Sequence, residues 1–393
     1  MKKNKKFIVV ILISILILSL CLISYKHYLF IHKNIQTYYM LDSRSHYTAT
    51  QLKDGNILIA GGNTSGKAEI FNPVTGKSSY TGSLNVNRFA HEALLLDDGN
   101  VLVFGGLSHP DLDILANAEI YNYNTKEFEN IGNIANCQNK SHSSLTKLDN
   151  GNILISCDKS ASIYNPKTRK IIDIKDMPYN GAATRTTMLP DGNILLLGRF
   201  VKIVEGKAEA IFSTLIVDTK EYVYKPVPQM NEIDFPSVIF STKDEKIFVS
   251  KLDDSDGIGV FLYEPINATY KEIGKIDGER TCNAVLLEDL NAIYFVADNQ
   301  CPSTPPTNNI IILLKDLFTS IFRHPNCVLF DINSGKYKHT AICPLDYKYS
   351  GKSFVIPNQK LLIIGGSSAT IFKPNKNKEI LIIDLKELKH GIN

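Results

Sequence analysis

Apolar positions along the chain form two kinds of run. The first is one uncharged stretch from Phe7 to Ser24, directly behind Lys2, Lys3, Lys5 and Lys6. As a helix these 18 residues span about 27 Å, near the hydrocarbon thickness of a bilayer. A helix that is apolar all round at a basic terminus has no polar face to turn to water, which argues against a core helix. The rival reading is a cleaved signal peptide. Tyr25, Lys26 and His27 follow the run without a small-x-small cleavage pattern, and Leu20 is too large for the position before a lipoprotein cysteine at Cys21. The pattern predicts a single-pass signal anchor, with residues 1–6 as a cytoplasmic basic tail, 7–24 as the transmembrane helix and 25–34 as a stalk. The lysine excess ahead of the span keeps the N-terminus inside and sends the rest to the extracytoplasmic side of the cell membrane.

The second kind of run is short, β-branched and repeated. Asp54-Gly55-Asn56 leads into Ile57-Leu58-Ile59-Ala60-Gly61-Gly62, and Asp98-Gly99-Asn100 into Val101-Leu102-Val103-Phe104-Gly105-Gly106. Asn150-Gly151-Asn152 and Asp191-Gly192-Asn193 open two more copies, at intervals of 44, 52 and 41 residues. Asp-Gly or Asn-Gly between two apolar runs is the strongest short hairpin signal, and the runs themselves read as buried strands. A third strand follows each hairpin: Ala68-Glu69-Ile70-Phe71, Ala118-Glu119-Ile120-Tyr121 and Ala161-Ser162-Ile163-Tyr164. A fourth begins past a polar turn. Four strands in about 45 residues fit one blade of a β-propeller.

Weaker copies surround Ile247–Ser250, Ala292–Val296 and Leu361–Gly366, which brings the units to seven. In five of them the third-strand aromatic is followed seven residues later by the start of the fourth strand: Phe71 to Ser78, Tyr121 to Phe128, Tyr164 to Ile171, Tyr263 to Tyr270 and Phe330 to Tyr337. The fourth unit offers Leu215 to Tyr222 instead. The last unit stops before its own fourth strand. An open outer edge would be an aggregation liability. Residues 35–42, with Thr37-Tyr38-Tyr39, are therefore expected to supply that strand and close the ring. The propeller is expected to fill residues 35–386, with an insertion at 299–326 and a tail at 387–393.

Charge narrows the partners. The first 34 residues hold six lysines and no acids, which leaves 37 basic against 40 acidic groups in the remainder. A nearly neutral domain has no broad basic field for nucleic acid.

The glycine pairs 61–62, 105–106 and 365–366, the aromatics downstream of them, and the arginines that open repeats (Arg44, Arg88, Arg185, Arg280) resemble the kelch-repeat propeller family. The Asp-Gly-Asn turn resembles the galactose-oxidase-type branch found in bacterial proteins. The family's fourth-strand tryptophan is missing, since the chain has no Trp, and Phe128, Tyr222, Tyr270 and Tyr337 stand in for it. The resemblance implies a kelch-like β-propeller; with the seven units counted and the Phe7–Ser24 run, the chain is expected to be an all-β, seven-bladed kelch-like propeller preceded by one transmembrane helix. It also implies that the entry loops share a face with the loops between second and third strands. Arg44, Arg88, Lys140, Arg185 and Arg280, with His46, His91 and His142, would then surround one mouth of the central channel. Such a ring suits carboxylate or phosphate groups of a ligand. Equally, each arginine can brace its own blade through backbone carbonyls.

The galactose-oxidase branch holds copper with Tyr and His. Here His46, His91 and His142 recur at the start of blades, as a repeat produces by descent, and no Tyr/Cys motif accompanies them. No metal and no cofactor is called for. Six cysteines lie in the outer domain, without metal-type spacing.

Inside the insertion, Ile310, Leu313, Leu314, Leu317, Phe318, Ile321 and Phe322 fall at helical spacing, between Cys301 and Cys327. This stripe either packs on the propeller or forms an arm in which Leu313, Leu317, Phe318 and Ile321 meet a partner or the membrane surface. The sequence reads as a membrane-anchored binding module for a protein or glycan partner. The alternative is a carbohydrate-active or copper-dependent oxidative enzyme on the same fold.

Overall fold

The computed structural model describes residues 35–135, 143–157, 160–174, 180–204, 207–226, 236–242, 244, 246–253, 257–265, 267, 269–277, 281–297, 327–340, 352–365 and 378–385, together with Ser19 and Leu22. Apart from Ser19 and Leu22, the predicted transmembrane span lies outside these residues, as does the helical stripe of the insertion. Among the described residues, no helix is long and apolar enough to cross a membrane.

The chain folds into seven four-stranded antiparallel sheets. Blade 1 consists of Thr48–Gln51, Ile57–Ala60, Lys67–Asn72 and Lys77–Ser83. Blade 2 consists of Glu92–Leu95, Val101–Phe104, Asn117–Tyr121 and Phe128–Asn133. Blades 3 to 6 begin at Ser143, Asn180, Pro236 and Thr281 and follow the same meander. Blade 7 combines Lys352–Ile356, Lys360–Ile364 and Glu379–Asp384 with the first strand of the chain, Ile35–Tyr39. In that pairing Ile35 opposes Ile383 and Tyr39 opposes Glu379, so no blade lacks its outer strand. The first strands of successive blades touch all the way round, blade 7 meeting blade 1. The fold is an all-β seven-bladed propeller.

The core lies between the blades, in seven apolar clusters that each join two neighbours. One, for example, brings Leu58, Ala60 and Ala68 of blade 1 against Val101, Val103 and Tyr121 of blade 2. Another closes the ring with Leu362, Ile364 and Ile380 of blade 7 against Tyr47, Ile57 and Phe71 of blade 1. A second strand is thus buried on both faces, which is why it reads as an unbroken apolar run rather than an alternating one. The aromatic spacing has a simple cause. Phe71 opposes Ser78, Tyr121 opposes Phe128, Tyr164 opposes Ile171, Tyr263 opposes Tyr270 and Phe330 opposes Tyr337 directly across the third and fourth strands.

Blade 4 departs from expectation. Leu215 opposes Pro226, and the pair that matches the other blades is Val217 with Tyr224. Tyr222 lies in the turn with φ of 57°. Its second and third strands, Ile194–Val204 and Lys207–Asp218, pair over 11 positions against three to seven in the other blades. At about 3.3 Å per residue, the ribbon adds roughly 13–26 Å beyond its neighbours.

Candidate functional site

One end of the propeller carries the loops that enter each blade and those joining second to third strands. The other end carries the hairpin turns. At the first end Arg44 and Arg88 occupy matching positions, and their side chains are fully buried. Arg44 Nε donates to Glu69 Oε1 at 2.9 Å and Nη1 donates to the Gly61 carbonyl at 2.9 Å. Arg88 Nη2 donates to Glu119 Oε1 at 2.8 Å, and Nη1 donates to the carbonyls of Gly105 at 3.0 Å and Asn117 at 3.2 Å. Each glutamate also holds the incoming chain. Glu69 accepts the Leu41 N–H at 2.8 Å, and Glu119 accepts the Asn85 and Val86 N–H groups at 2.7 and 3.1 Å. Each Arg–Glu pair therefore ties an entry loop to the second and third strands of its own blade. Burial lowers the Arg88 pKa, and the Glu119 charge opposes that shift.

The histidines separate in the same way. His46 and Ala90 match, each with φ of 52°, and the Ala90 N–H donates to the His46 carbonyl at 2.8 Å. The counterpart of His91 is Tyr47, so the expected equivalence of His46 and His91 is off by one residue. Tyr47 Oη donates to the Ile364 carbonyl of blade 7 at 2.6 Å, and burial raises its pKa. His91 Nε2 lies 2.9 Å from Thr48 Oγ1 of blade 1. Burial, then the nearby charges of Arg88 and Lys352, push the His91 pKa down to about 3, so the ring is neutral. Both side chains press on the first glycine of the neighbouring glycine pair. A Cβ on Gly61 would collide with the His91 ring and the Arg88 carbonyl, and one on Gly365 with Tyr47. Those glycines, at φ of 69° and 66°, are packing requirements of the inter-blade seam.

His46 remains exposed, with its ring edge-on to half-buried Phe89 at 6.5 Å between centroids. Beside it blade 2 has a two-stranded ribbon, Arg88–Phe89 against Leu107–Ser108. The loop that follows exposes His109, Asp111, Leu112 and Asp113, with Leu112 at 48%. Arg185 lies beside a register shift in the first strand of blade 4, and its side chain is outside the described residues. Lys140, His142, Arg280, Leu313, Leu317, Phe318 and Ile321 lie outside them as well. The sequence reading missed the blade 2 ribbon and the length of the blade 4 hairpin. The second had a signal, two long β-favouring stretches around Glu205-Gly206.

Galactose-oxidase-type chemistry would need a convergent donor set. Among the described residues, no three His, Cys, Asp or Glu side chains are grouped to hold a metal ion. His91 directs one nitrogen at Thr48 and buries the other, so it is no ligand. The described residues do not fit a copper centre. Cys157 and Cys327 are both disulfide-bonded.

No protein-family profile matches the chain, and no curated protein sequence matches it. Of 677 solved chains that do match, one is a fungal alcohol oxidase of the AA5 family, in complex with copper. It is 14% identical, with a TM-score of 0.60 over 89% of this chain and 75% of that one. At that identity the likeness is one of fold.

Proposed function

We propose that this protein is a membrane-anchored, extracytoplasmic propeller of the bacterial kelch type that binds a protein or glycan partner. It uses the end that carries the entry loops. The carrying observation is the division of labour there: Arg44, Arg88 and His91 are engaged inside the fold, while His46, Phe89 and the Leu112 loop face solvent. The long blade 4 ribbon gives the same end a raised wall. A half-buried aromatic beside an exposed histidine suits stacking on a sugar ring or an aromatic anchor of a protein. The lysine-rich start and the Phe7–Ser24 run support the anchor, and half-cystines at Cys157 and Cys327 suit an oxidising compartment.

The test is capture from an extracytoplasmic extract, alongside a glycan array, with the full chain and with His46→Ala/Leu112→Ser. Loss of a specific partner in the variant, at unchanged melting temperature, supports the reading. Equal capture by both chains refutes this surface. The likeness to a copper alcohol oxidase favours a second reading, an oxidative enzyme. Metal analysis of the purified chain decides it: stoichiometric copper would replace the binding-module reading.

A further inference from the structure

The closing strand of blade 7 has a direction, and that direction fixes the end of the propeller at which the preceding chain joins it. Ile35 opposes Ile383, and Ile383 opposes Leu361, the second residue of the strand that leaves the blade 7 hairpin turn. Tyr39, at the other end of the strand, opposes Glu379, whose carbonyl accepts the Gly365 N–H at 2.7 Å on the entry-loop side. The Leu385 N–H donates to the Gln359 carbonyl in the hairpin turn at 2.8 Å, which fixes the polarity of the blade. Ile35 itself is buried in the apolar cluster between blades 6 and 7. The chain therefore enters the propeller at the hairpin end, opposite His46, Phe89 and Leu112.

Reach decides what that end can face. Ten residues, 25–34, separate the proposed span from Ile35. Extended at about 3.3 Å each, they cover about 33 Å. The blade 4 ribbon rises from the hairpin end over 11 paired positions, about 36 Å at the same rise. Ten residues that start from the hairpin end cannot bring a bilayer surface past the tip of eleven. Asp98, Asp149 and Asp191 are exposed at the hairpin end, so it meets a polar headgroup layer and does not enter hydrocarbon.

We infer that the hairpin end of the propeller faces the headgroup surface of the bilayer that anchors the chain, and that the entry-loop end is presented away from that bilayer. The inference rests on the anchor reading and goes beyond it. It restricts the partner class. A protein or glycan that meets His46, Phe89 and Leu112 arrives from the extracytoplasmic space or from an opposing surface, and is not embedded in the same membrane.

The test places the full chain in phosphatidylcholine vesicles whose headgroups carry an acceptor dye. A donor dye is attached through an azide-bearing phenylalanine at exposed Asp149, on the blade 3 hairpin, or at exposed Leu112, on the entry-loop end. Asp289 and Asp111 are second exposed positions on the same two ends, for use if a label lowers the melting temperature. Flotation reads the anchor, and energy transfer reads the facing end. The expected result is co-flotation, with transfer from the hairpin end at least twice that from the entry-loop end. Co-flotation with equal transfer, as for a ring lying on its edge, or with greater transfer from Leu112 overturns the inference and leaves the anchor standing. A chain that does not float with the vesicles overturns the anchor reading and the inference with it.

Discussion

Replacing Arg88 by Met tests whether this guanidinium is a brace or a ligand contact. Its side chain is fully buried and donates to Glu119, Gly105 and Asn117 over 2.8–3.2 Å. Met fills much of the volume but leaves Glu119 as an uncompensated charge with 0% exposure. Breaking a buried pair from one side costs about 3–5 kcal/mol. At about 2 °C per kcal/mol for a large domain, the melting temperature should fall by about 6–10 °C. Adding Glu119→Gln should recover part of the loss. It removes the charge and retains one carbonyl oxygen, which can accept either the Asn85 N–H, now bonded to Oε2 at 2.7 Å, or the Val86 N–H, now bonded to Oε1 at 3.1 Å. Thermal unfolding of parent, single and double variants followed by circular dichroism measures both steps. A single variant melting within 1 °C of the parent (a threshold of about 0.5 kcal/mol) would refute the brace. So would a double variant no more stable than the single one.

Three further outcomes are expected. Tyr47→Phe removes the 2.6 Å bond to Ile364 across the closing seam and should cost about 1 kcal/mol in denaturant titrations. Deleting residues 35–39 strips five paired positions from blade 7, and the product should aggregate in gel filtration, whereas a monomer with parental stability would show that closure does not need this strand. His91 has a native pKa of about 3 against an ordinary 6.5, so below pH 6.5 the unfolded chain takes up a proton that the native ring refuses. Stability should therefore fall as pH drops from 6.5 toward 3, by up to about 1.4 kcal/mol per unit from this group, and His91→Gln should flatten the profile in that window.

What the sequence determined by itself was local and periodic. Unbroken apolar runs of four or five residues marked second strands, because a strand packed between two blades has no wet face to carry polar side chains. Asp-Gly-Asn marked the hairpins because their turns place glycines such as Gly55 and Gly99 at φ of 82° and 92°. A seven-residue spacing marked the third and fourth strands because the turn between them has fixed length. The missing last strand pointed to Thr37–Tyr39 through the cost of an open edge.

The tertiary structure alone decided which polar residues were occupied. Arg88 and Glu119 are 31 residues apart, and Tyr47 and Ile364 are 317 apart. The Arg–Glu pair recurs within blades 1 and 2, but only the folded blade shows that both side chains are buried and mutually paired; the Tyr47 partner depends on how one blade seats on the next. That seating separates buried His91 from exposed His46, which look alike in the repeat. It also opens a cleft between the hairpins of blades 6 and 7, lined by Leu290 and Gln359. Until the two hairpins are brought side by side, the absence of Asp-Gly-Asn there reads only as a weakened repeat.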